Sequence, residues 1–422
     1  MIHRKPFFYV LVWIVFLGMG VPGFAFTDLE FVAVWDPGNP EMPASKLDDG
    51  STGYGSVDYI YNIAKYETTN TQYAEFLNAV ASSDPNSLFN TKMGTTVWGG
   101  IKRSGKSGSY TYSTWPNFGN KPVNFVSWFN AARFANWLHN GRPTGVQDAS
   151  TTEDGAYTFS GIETISERNL GAKYFLPTEH EWDKAAFYEP GAETPDGDGW
   201  WKYSSRVDVF PTPATVDEFG NVTNPGQTTA NFRRQSNWNS NTIHGNVTTV
   251  GSAGSQTFFG AYDMTGNVFE WVLADPTKPD PNGWGPYTVR GGSFRNDGHV
   301  TMRERNLVHH DNHGLPGHDV GFRLASLYVE PNQFNPGDLN VDSFVDGADL
   351  LLWQESIGGN LAGDIDGDGK TDGSDFLIWQ RNVTADGGSS SYTASVPEPS
   401  ALLLGSAMVG MLYFRRLRNQ VA

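Results

Sequence analysis

Apolar side chains recur with helical spacing in the segment from residue 71 to residue 80. Tyr73, Phe76, Leu77 and Val80 occupy positions i, i+3, i+4 and i+7, which share one face of an α-helix. Asn70 precedes them and is a residue type that caps helix N-termini. The pattern therefore predicts a helix over 71–80 with Asn70 as its N-cap.

Two further helices are predicted by their caps and apolar stripes. Ser127 is a good N-cap, and Gly141 lies where a helix would end. Thr178 and Glu181 have the spacing of a capping box. The apolar stripes of these two helices comprise Trp128, Ala131, Ala132, Ala135 and Leu138 in the first, and Trp182, Ala185 and Ala186 in the second.

Alternating apolar and polar residues predict short strands between long polar loops. The sequences FVAV (31–34), VDYIYNIAKYE (57–67) and KYFL (173–176) are typical of strands. Residues 84–120 and 189–257 are rich in Gly, Ser, Thr and Asn, which indicates loops and hairpins. Residues 26–328 are thus expected to form a loop-rich α+β domain.

An acidic motif occurs twice between residues 337 and 382. The segments GDLNVDSFVDGADLLLWQ and GDIDGDGKTDGSDFLIWQ are related by an offset of 26 residues. Each places side-chain oxygens at positions 1, 3, 5, 9 and 12 of a calcium loop, and Lys370 would add a backbone carbonyl at position 7 of the second loop. The side-chain ligands are Asp338, Asn340, Asp342, Asp346 and Asp349 in the first loop, and Asp364, Asp366, Asp368, Asp372 and Asp375 in the second. The alternative is a pair of solvated acidic turns.

Both ends of the chain carry short apolar runs. Residues 1–25 combine basic residues, an apolar run and a small-residue site, as a secretory signal peptide does. Residues 396–420 contain an apolar run followed by arginines, which predicts a transmembrane helix with that end cytoplasmic. Residues 383–395 are a polar linker. The chain is therefore expected to be exported, with a tail that is either a temporary or a permanent anchor.

Composition narrows the classes of partner. A formal net charge of −17 argues against nucleic acid. The 27 Phe, 17 Tyr and 14 Trp can supply a large core, whereas the sequence contains no cysteine and can form no disulfide.

The stretch from 259 to 271 combines a tight turn with two acids. Gly266 and Asn267 tolerate positive φ, and Asp263 and Glu270 bracket them. Carbonyls and carboxylates from such a turn can surround a hard cation. The alternative is a hairpin turn with two solvated acids.

That stretch, GAYDMTGNVFEW, resembles a signature of the formylglycine-generating-enzyme/sulfatase-modifying-factor (FGE-sulfatase) family. The segments YNIAKYETTNTQYAEFLNAV, PVNFVSWFNAARFANWL, YFLPTEHEWDKAAFY and VRGGSFRNDGHVTMRERN…VGFRLAS are similar to the same family in the same order. The resemblance implies a fold of C-type-lectin type. It also implies Ca²⁺ ligands, which are Asp263, Glu270, the carbonyls of Gly266 and Val268, and the pair Asn231 and Phe232.

Two other resemblances concern the C-terminal part. The acidic pair resembles dockerin type I repeats, which implies a calcium-folded docking module with a cohesin-like or other protein partner. The tail, with Val396-Pro397-Glu398-Pro399 before its apolar run, resembles the PEP-CTERM sorting signal, which implies cleavage by an exosortase-type protease. The product would reach the cell surface or the extracellular space.

The family's oxidation of cysteine to formylglycine uses two cysteines that hold copper(I), and this sequence has none. Three hypotheses follow. The first is a non-catalytic module that binds a glycan, a peptide or a protein partner. The second is a metal-dependent enzyme using the histidine-rich segment 299–318, and the third is a structural component of the envelope or matrix. The histidines of that segment are His299, His309, His310, His313 and His318.

Overall fold

The computed structural model describes residues 28–46, 52–159, 167–190, 194–240, 243–275, 287–296, 316–327, 337–339, 345–357, 363–365 and 370–383. The chain divides into two compact units, one extending to residue 334 and the other beginning at residue 335, with residues 359–362 grouped with the first. The predicted signal peptide and C-terminal anchor lie outside the described residues. Among the described residues, no helix is long and apolar enough to span a bilayer.

The first unit mixes four helices with ten short strands in its described part. The strands are β1 (Phe31–Val34), β2 (Tyr61–Ala64), β3 (Ile101–Ser104), β4 (Thr111–Thr114), β5 (Thr212–Pro213), β6 (Thr229–Ala230), β7 (Phe269–Leu273), β8 (Tyr287–Arg290), β9 (Val320–Gly321) and β10 (Ala325–Ser326). The helices are α1 (Asn70–Val80), α2 (Lys92–Thr95), α3 (Trp128–His139) and α4 (Glu179–Phe187), and a 3₁₀ turn covers Ala44–Lys46. The predicted α+β class is confirmed.

Two three-stranded sheets join distant parts of this unit. In one, β2 lies between β1 and β10 and is antiparallel to both. In the other, β7 lies between β8, which is antiparallel to it, and β9, which is parallel to it. Strands from the two ends of the unit, such as β2 and β10, are therefore neighbours in one sheet, although a long stretch of chain connects them.

The first helix occupies the predicted segment but begins at a different cap. Thr69, not Asn70, is the N-cap, and its side chain accepts a hydrogen bond from the Gln72 amide. The Asn70 side chain instead donates to the carbonyls of Phe118, Lys121 and Pro122 at 3.0–3.2 Å. Both residue types cap helices well, and these distant carbonyls decide which of the two does so.

The other two predicted helix starts are confirmed. Ser127 caps α3 through the Asn130 amide. Thr178 and Glu181 form the reciprocal capping box of α4, with the Thr178 amide donating to the Glu181 carboxylate at 2.7 Å. All residues of the predicted apolar stripes on α1, α3 and α4 are buried.

Aromatic side chains join α1 to α3. The rings of Phe76 and Phe134 meet edge to face with centroids 5.3 Å apart, and Tyr73 stacks on Phe134 at 6.0 Å. Such pairs contribute about 0.5–1.5 kcal/mol beyond the area they bury.

The strand predicted over 173–176 is wrong in extent. Phe175 forms only an isolated bridge with Ala325, with two backbone hydrogen bonds of 2.8 and 3.0 Å. The alternation in 57–67 likewise yields only the four residues of β2 as strand. Residues 58–59, 65–66 and 173–174 are bends, so strand pairing does not continue into these parts of the predicted segments.

The second unit contains two helices that follow the acidic loops, α5 (Gly347–Ser356) and α6 (Gly373–Asn382). The two repeats contact each other reciprocally. The Trp353 indole donates to the Asp372 carbonyl at 3.2 Å, and the Trp379 indole donates to the Asp346 carbonyl at 3.0 Å. These pairs are equivalent under the 26-residue repeat, so each copy completes the other.

A buried lysine on α4 generates a testable pH dependence. Burial lowers the pKa of Lys184 from 10.5 to about 8, while its ammonium donates to the Asp36 carbonyl at 2.7 Å. Between these two pKa values the unfolded chain binds more protons than the folded chain, so stability rises with pH. We expect the free-energy advantage of Lys184→Met over the wild type to be largest below pH 8 and to shrink as the pH approaches 10.5.

Denaturant titrations at several pH values measure this difference, because groups common to both proteins cancel. Lys92→Met on α2 is the control, since the Lys92 side chain is exposed. Its difference from the wild type is the reference. A Lys184→Met difference that varies with pH no more than this reference would contradict the prediction.

Candidate functional site

The turn between Asp263 and Glu270 depends on left-handed backbone conformations. The φ angles of Asp263, Gly266 and Asn267 are 58°, 92° and 61°. A Cβ atom on Gly266 would lie 2.6 Å from the Asn231 carbonyl oxygen. Glycine is therefore required there for space as well as for backbone freedom.

A buried ion pair closes this turn. Both carboxylate oxygens of Glu270 accept hydrogen bonds of 2.6 Å from the Arg323 guanidinium, and one of them also accepts from the Trp182 indole at 2.7 Å. Arg323 donates further to the carbonyls of Ala64 and Tyr262. The charged groups are thus paired and hydrogen-bonded in the interior, as buried charges require.

Glu67 adds a second buried carboxylate to the turn. It accepts from the Asn267 side chain at 2.8 Å and from the Val268 amide at 3.3 Å. Burial raises the pKa of Glu67 well above its ordinary value, and the neighbouring charges of Asp263 and Glu270 raise it further.

Asp263 is the third buried carboxylate. It accepts from the Gly251 amide, and burial raises its pKa to about 6. The positive charge of the Arg323 guanidinium therefore acts on Asp263 and Glu67 as well as on Glu270. This leaves an excess of negative charge that a proton or a cation can neutralise.

Asn231 has a side-chain oxygen that can bind such a cation. Its amide nitrogen donates to the Asn246 carbonyl and the Asn267 side chain, while its Oδ1 atom is buried with no hydrogen-bond donor among the described residues. Asn231 and Asp263 fit a calcium ligand set, because both have acceptor capacity to spare. Glu270 fits less well, because Arg323 and Trp182 already engage its oxygens.

The predicted set of Asp263, Gly266, Val268, Glu270, Asn231 and Phe232 stays a prediction. Phe232, which would act through its carbonyl, is fully buried. Within the described ranges, no group of three or more His, Asp or Glu side chains is arranged to hold a metal ion. Calcium bound at the turn would accordingly need carbonyl and amide oxygens in addition to the Asp263 carboxylate.

The acids of α4 form a separate buried charge network. Arg290 donates to Glu179 at 2.6 Å and to Asp183 at 3.1 Å. Arg168 pairs with Glu181 at 2.8 Å. These acids stabilise the contacts of α4, and none of them is a free general acid or base.

The acidic repeats show the same geometry twice in their described part. Asp349 accepts from the amides of Leu339 and Asp346 at 2.7 and 2.8 Å, and Asp375 accepts from those of Ile365 and Asp372 at the same distances. The described members of the predicted ligand set also include Asp338, Asp364 and Lys370, whereas Asn340, Asp342, Asp366 and Asp368 lie outside the described residues. The carboxylate that is predicted to be the last ligand of each loop is therefore buried and oriented by backbone amides.

Of the histidine-rich segment, only His318 is described. His299, His309, His310 and His313 lie outside the described residues. The His318 ring contacts the Arg295 guanidinium and lies 5.1 Å from the Trp98 ring. Its Nε2 atom is 3.7 Å from the carboxylate of Asp319.

A partly exposed surface surrounds His318, which we call the Trp98 face and define by Trp98, His244, Arg295 and His318. The Arg295 guanidinium lies 6.0 Å from the Trp98 ring, and the His244 ring lies 6.2 Å from it. An aromatic ring beside cationic and imidazole groups can bind a ligand, but it contains no nucleophile with a base.

Glu67 is the site residue that sequence reasoning missed. Its partners Asn267 and Val268 are 200 and 201 residues away in the chain, so local periodicity contains no sign of them. An acid inside the apolar segment from 57 to 80 was the available signal, because an acid that cannot reach water requires a partner.

Loss of one partner of the central ion pair should destabilise the first unit strongly. Arg323→Met leaves Glu270 buried without its cation, which typically costs about 3–5 kcal/mol. The double variant Glu270→Gln/Arg323→Met should recover part of that loss, because it removes both charges. Chemical denaturation monitored by tryptophan fluorescence measures both.

Arg142→Met is the matched control for this pair. Arg142 forms an exposed ion pair with Asp28 at 3.1 Å, and loss of such a pair costs at most about 1 kcal/mol. Equal losses for Arg323→Met and Arg142→Met would show that Arg323 does not have the central role assigned to it.

Several solved structures are similar to this chain. Similar solved structures include one described as "Crystal Structure of CarF", with 22% identity, a TM-score of 0.40, and coverage of 71% of this chain and 98% of that chain. Treponema denticola variable protein 1 has 16% identity and a TM-score of 0.38, with coverage of 72% and 97%. PvdO from Pseudomonas aeruginosa has 16% identity and a TM-score of 0.33, with coverage of 71% and 91%. No curated protein matches the chain.

A protein-family model also matches the chain. The model of the sulfatase-modifying factor enzyme 1-like domain, FGE-sulfatase, matches residues 37–327. That range includes the turn at Asp263–Glu270, its partner Arg323 and the Trp98 face. Since the match spans more than half of the sequence, the chain belongs to the FGE-sulfatase domain family.

Proposed function

We propose that this protein is an exported, calcium-stabilised binding protein whose FGE-sulfatase domain recognises a ligand without oxidising it. The observation that carries the proposal is the lack of cysteine in all 422 residues. Soft thiolates are the ligands that suit copper(I), and thiolate chemistry needs a cysteine sulfur. The domain is retained without the side chains on which the oxidation depends.

The pairing of buried carboxylates with arginines supports a structural role for these charged groups. Glu270, Glu179 and Glu181 are all paired with buried or half-buried arginines. A carboxylate held in this way contributes to a fixed shape, and it is not available to abstract a proton from a ligand.

The Trp98 face is the ligand-binding surface in this proposal. Two hydrogen bonds fix Trp98. Its indole donates to the Gly245 carbonyl at 3.1 Å, and its own carbonyl accepts from Asn124 at 2.9 Å. A ring fixed in this way loses little freedom when a glycan or a peptide packs against it.

The second unit would act as a calcium-folded docking module. Asp349 and Asp375 are almost fully buried, and each would supply the last oxygen ligand of its loop. A cohesin-like or other protein partner would bind this module. Export would use residues 1–25, and an exosortase-type protease would act at residues 396–420 before release to the cell surface or the extracellular space.

Metal analysis separates this proposal from a metal-dependent enzyme. We expect the full chain, purified from the secreted fraction, to contain calcium but no stoichiometric copper, zinc or iron. Because a ligand at 1,000 times its Kd stabilises the folded state by about 4 kcal/mol, a calcium chelator should lower the Tm and added calcium should restore it. Stoichiometric transition metal would instead support an enzyme using the segment 299–318, and a Tm indifferent to chelation would contradict calcium stabilisation.

The docking module gives a more local prediction. Asp375→Asn removes one negative charge from the last ligand of the second loop, so we expect calcium affinity of the full chain to fall at least tenfold at one site. Isothermal titration with calcium measures this. Glu355→Gln on the exposed side of α5 is the control and should leave the titration unchanged. Equal effects of both substitutions would contradict the assigned loop.

A further inference from the structure

One long segment of this acidic chain contains no acid. The whole sequence has 46 Asp and Glu, whereas residues 85–147 contain none of them and contain seven Lys and Arg. A charge asymmetry of this kind predicts a local surface whose sign differs from that of the whole protein. The segment includes the hairpin of β3 and β4, which covers residues 101–114.

The hairpin has a buried and an exposed side. Tyr112 is buried, whereas its neighbours Thr111 and Ser113 on β4 are exposed. Across the hairpin, Ser113 pairs with Lys102 and Thr111 pairs with Ser104. The exposed side therefore presents hydroxyl groups beside an ammonium group. We call it the hairpin face and define it by Lys102, Ser104, Lys106, Thr111, Ser113 and Trp115.

The two lysines of the hairpin face have no acidic partner in the described part of the chain. Lys102 is half-buried, and Lys106 is exposed in the turn between the strands. No described carboxylate lies within ion-pairing distance of either ammonium group. Arg103 differs, because the Asp84 carboxylate lies 3.6 Å from its guanidinium. The unpaired positive charge of the hairpin thus belongs to Lys102 and Lys106.

An exposed tryptophan lies beside Lys102. The Trp115 side chain is 38% exposed, and the Lys102 ammonium lies 5.4 Å from the centroid of its ring. Trp115 directly follows β4, and its amide donates to the Gly100 carbonyl at 2.9 Å. A flat apolar surface and a cation are therefore within reach of a single unit of a ligand.

The hairpin is fixed to the C-terminal end of α1. The Asn78 side chain donates to the Tyr112 carbonyl and accepts from the Tyr112 amide, both at 2.9 Å. The Gly108 and Tyr110 amides donate to the Ser82 carbonyl at 2.9 and 3.0 Å. A surface that is held at a strand and at its turn loses little conformational freedom when it binds a ligand.

We propose that the hairpin face binds an acidic polysaccharide whose sugar units carry carboxylates. The carboxylates supply the negative charge that the two lysines lack. Sugar hydroxyls match the exposed Ser and Thr hydroxyls, which both donate and accept hydrogen bonds, and the apolar side of a sugar ring packs against Trp115. This face shares no residue with the Trp98 face, so the inference goes beyond the proposed function and does not depend on it.

Nucleic acid fits the hairpin face less well. Its affinity depends on many phosphate contacts by Lys and Arg, whereas this face has two unpaired lysines in a chain with a formal net charge of −17. A polysaccharide with one carboxylate per sugar needs fewer cations, and its hydroxyls and ring faces contact the other residues. An acidic peptide has the charges but lacks the sugar rings, so it serves as a comparison ligand.

Isothermal titration of the full secreted chain with octagalacturonate tests the proposal. Its fully methyl-esterified form keeps the sugar rings without the charges, and octaglutamate keeps the charges without the rings. We expect octagalacturonate to bind at least tenfold more tightly than either comparison ligand. Its affinity should fall as the salt concentration rises, because salt screens exposed charges.

Variants locate the binding surface. Lys102→Gln/Lys106→Gln and Trp115→Ala should each weaken octagalacturonate binding at least tenfold, which corresponds to about 1.4 kcal/mol. Trp115→Phe retains a ring and should keep most of the affinity, so it separates loss of the ring from loss of the fold. Lys173→Gln is the matched control, because Lys173 is also exposed but lies outside the acid-free segment. It should change the affinity by less than twofold.

Several results would overturn the proposal. They are absence of octagalacturonate binding, equal binding of the ester or of octaglutamate, and an equal loss in Lys173→Gln. Binding that depends on Trp98 but not on Lys102, Lys106 or Trp115 would also overturn it, while supporting the Trp98 face as the ligand-binding surface. Failure of the hairpin face is thereby distinguished from failure of the proposed function.

Discussion

The buried pair of Glu270 and Arg323 is the contact on which the first unit depends. Arg323 reaches the Ala64 carbonyl, which is 259 residues away, and the Glu270 carboxylate reaches Trp182 on α4. One pair of charged side chains thus fastens both ends of the unit and its central helix. In a chain without disulfides, this closure has to come from non-covalent contacts.

The same pair creates an electrostatic problem that the surrounding residues must solve. Glu67 and Asp263 are buried near Glu270, and Arg323 supplies one positive charge to the three acids. An unpaired buried carboxylate costs several kcal/mol, so the group must bind a proton or a cation. The raised pKa values of Glu67 and Asp263 favour the first of these, which is binding of a proton. The spare oxygen of Asn231 is compatible with the second, which is the calcium that we propose.

Local sequence predicted those parts of the fold that depend on local interactions. The capping box of Thr178 and Glu181 and the cap at Ser127 involve residues within three positions of each other, and both were predicted correctly. The cap of α1 was misassigned because carbonyls about 50 residues away capture Asn70. The role of Glu67 could not be predicted for the same reason, since its hydrogen-bond partners come from the far end of the domain. Resemblance to the family indicated the turn, but not the pairing of its glutamate with Arg323.

Backbone hydrogen bonds connect the buried turn to the exposed surface. The Asn267 amide donates to the Asn231 carbonyl, and its own carbonyl accepts from the Phe294 amide, at 2.9 and 2.8 Å. These two bonds attach the segments that carry Arg234 and Arg295 to the residue whose side chain binds Glu67. A domain that lacks reactive thiols still has a use for such a rigid interior, because a fixed surface binds its ligand without first having to be ordered.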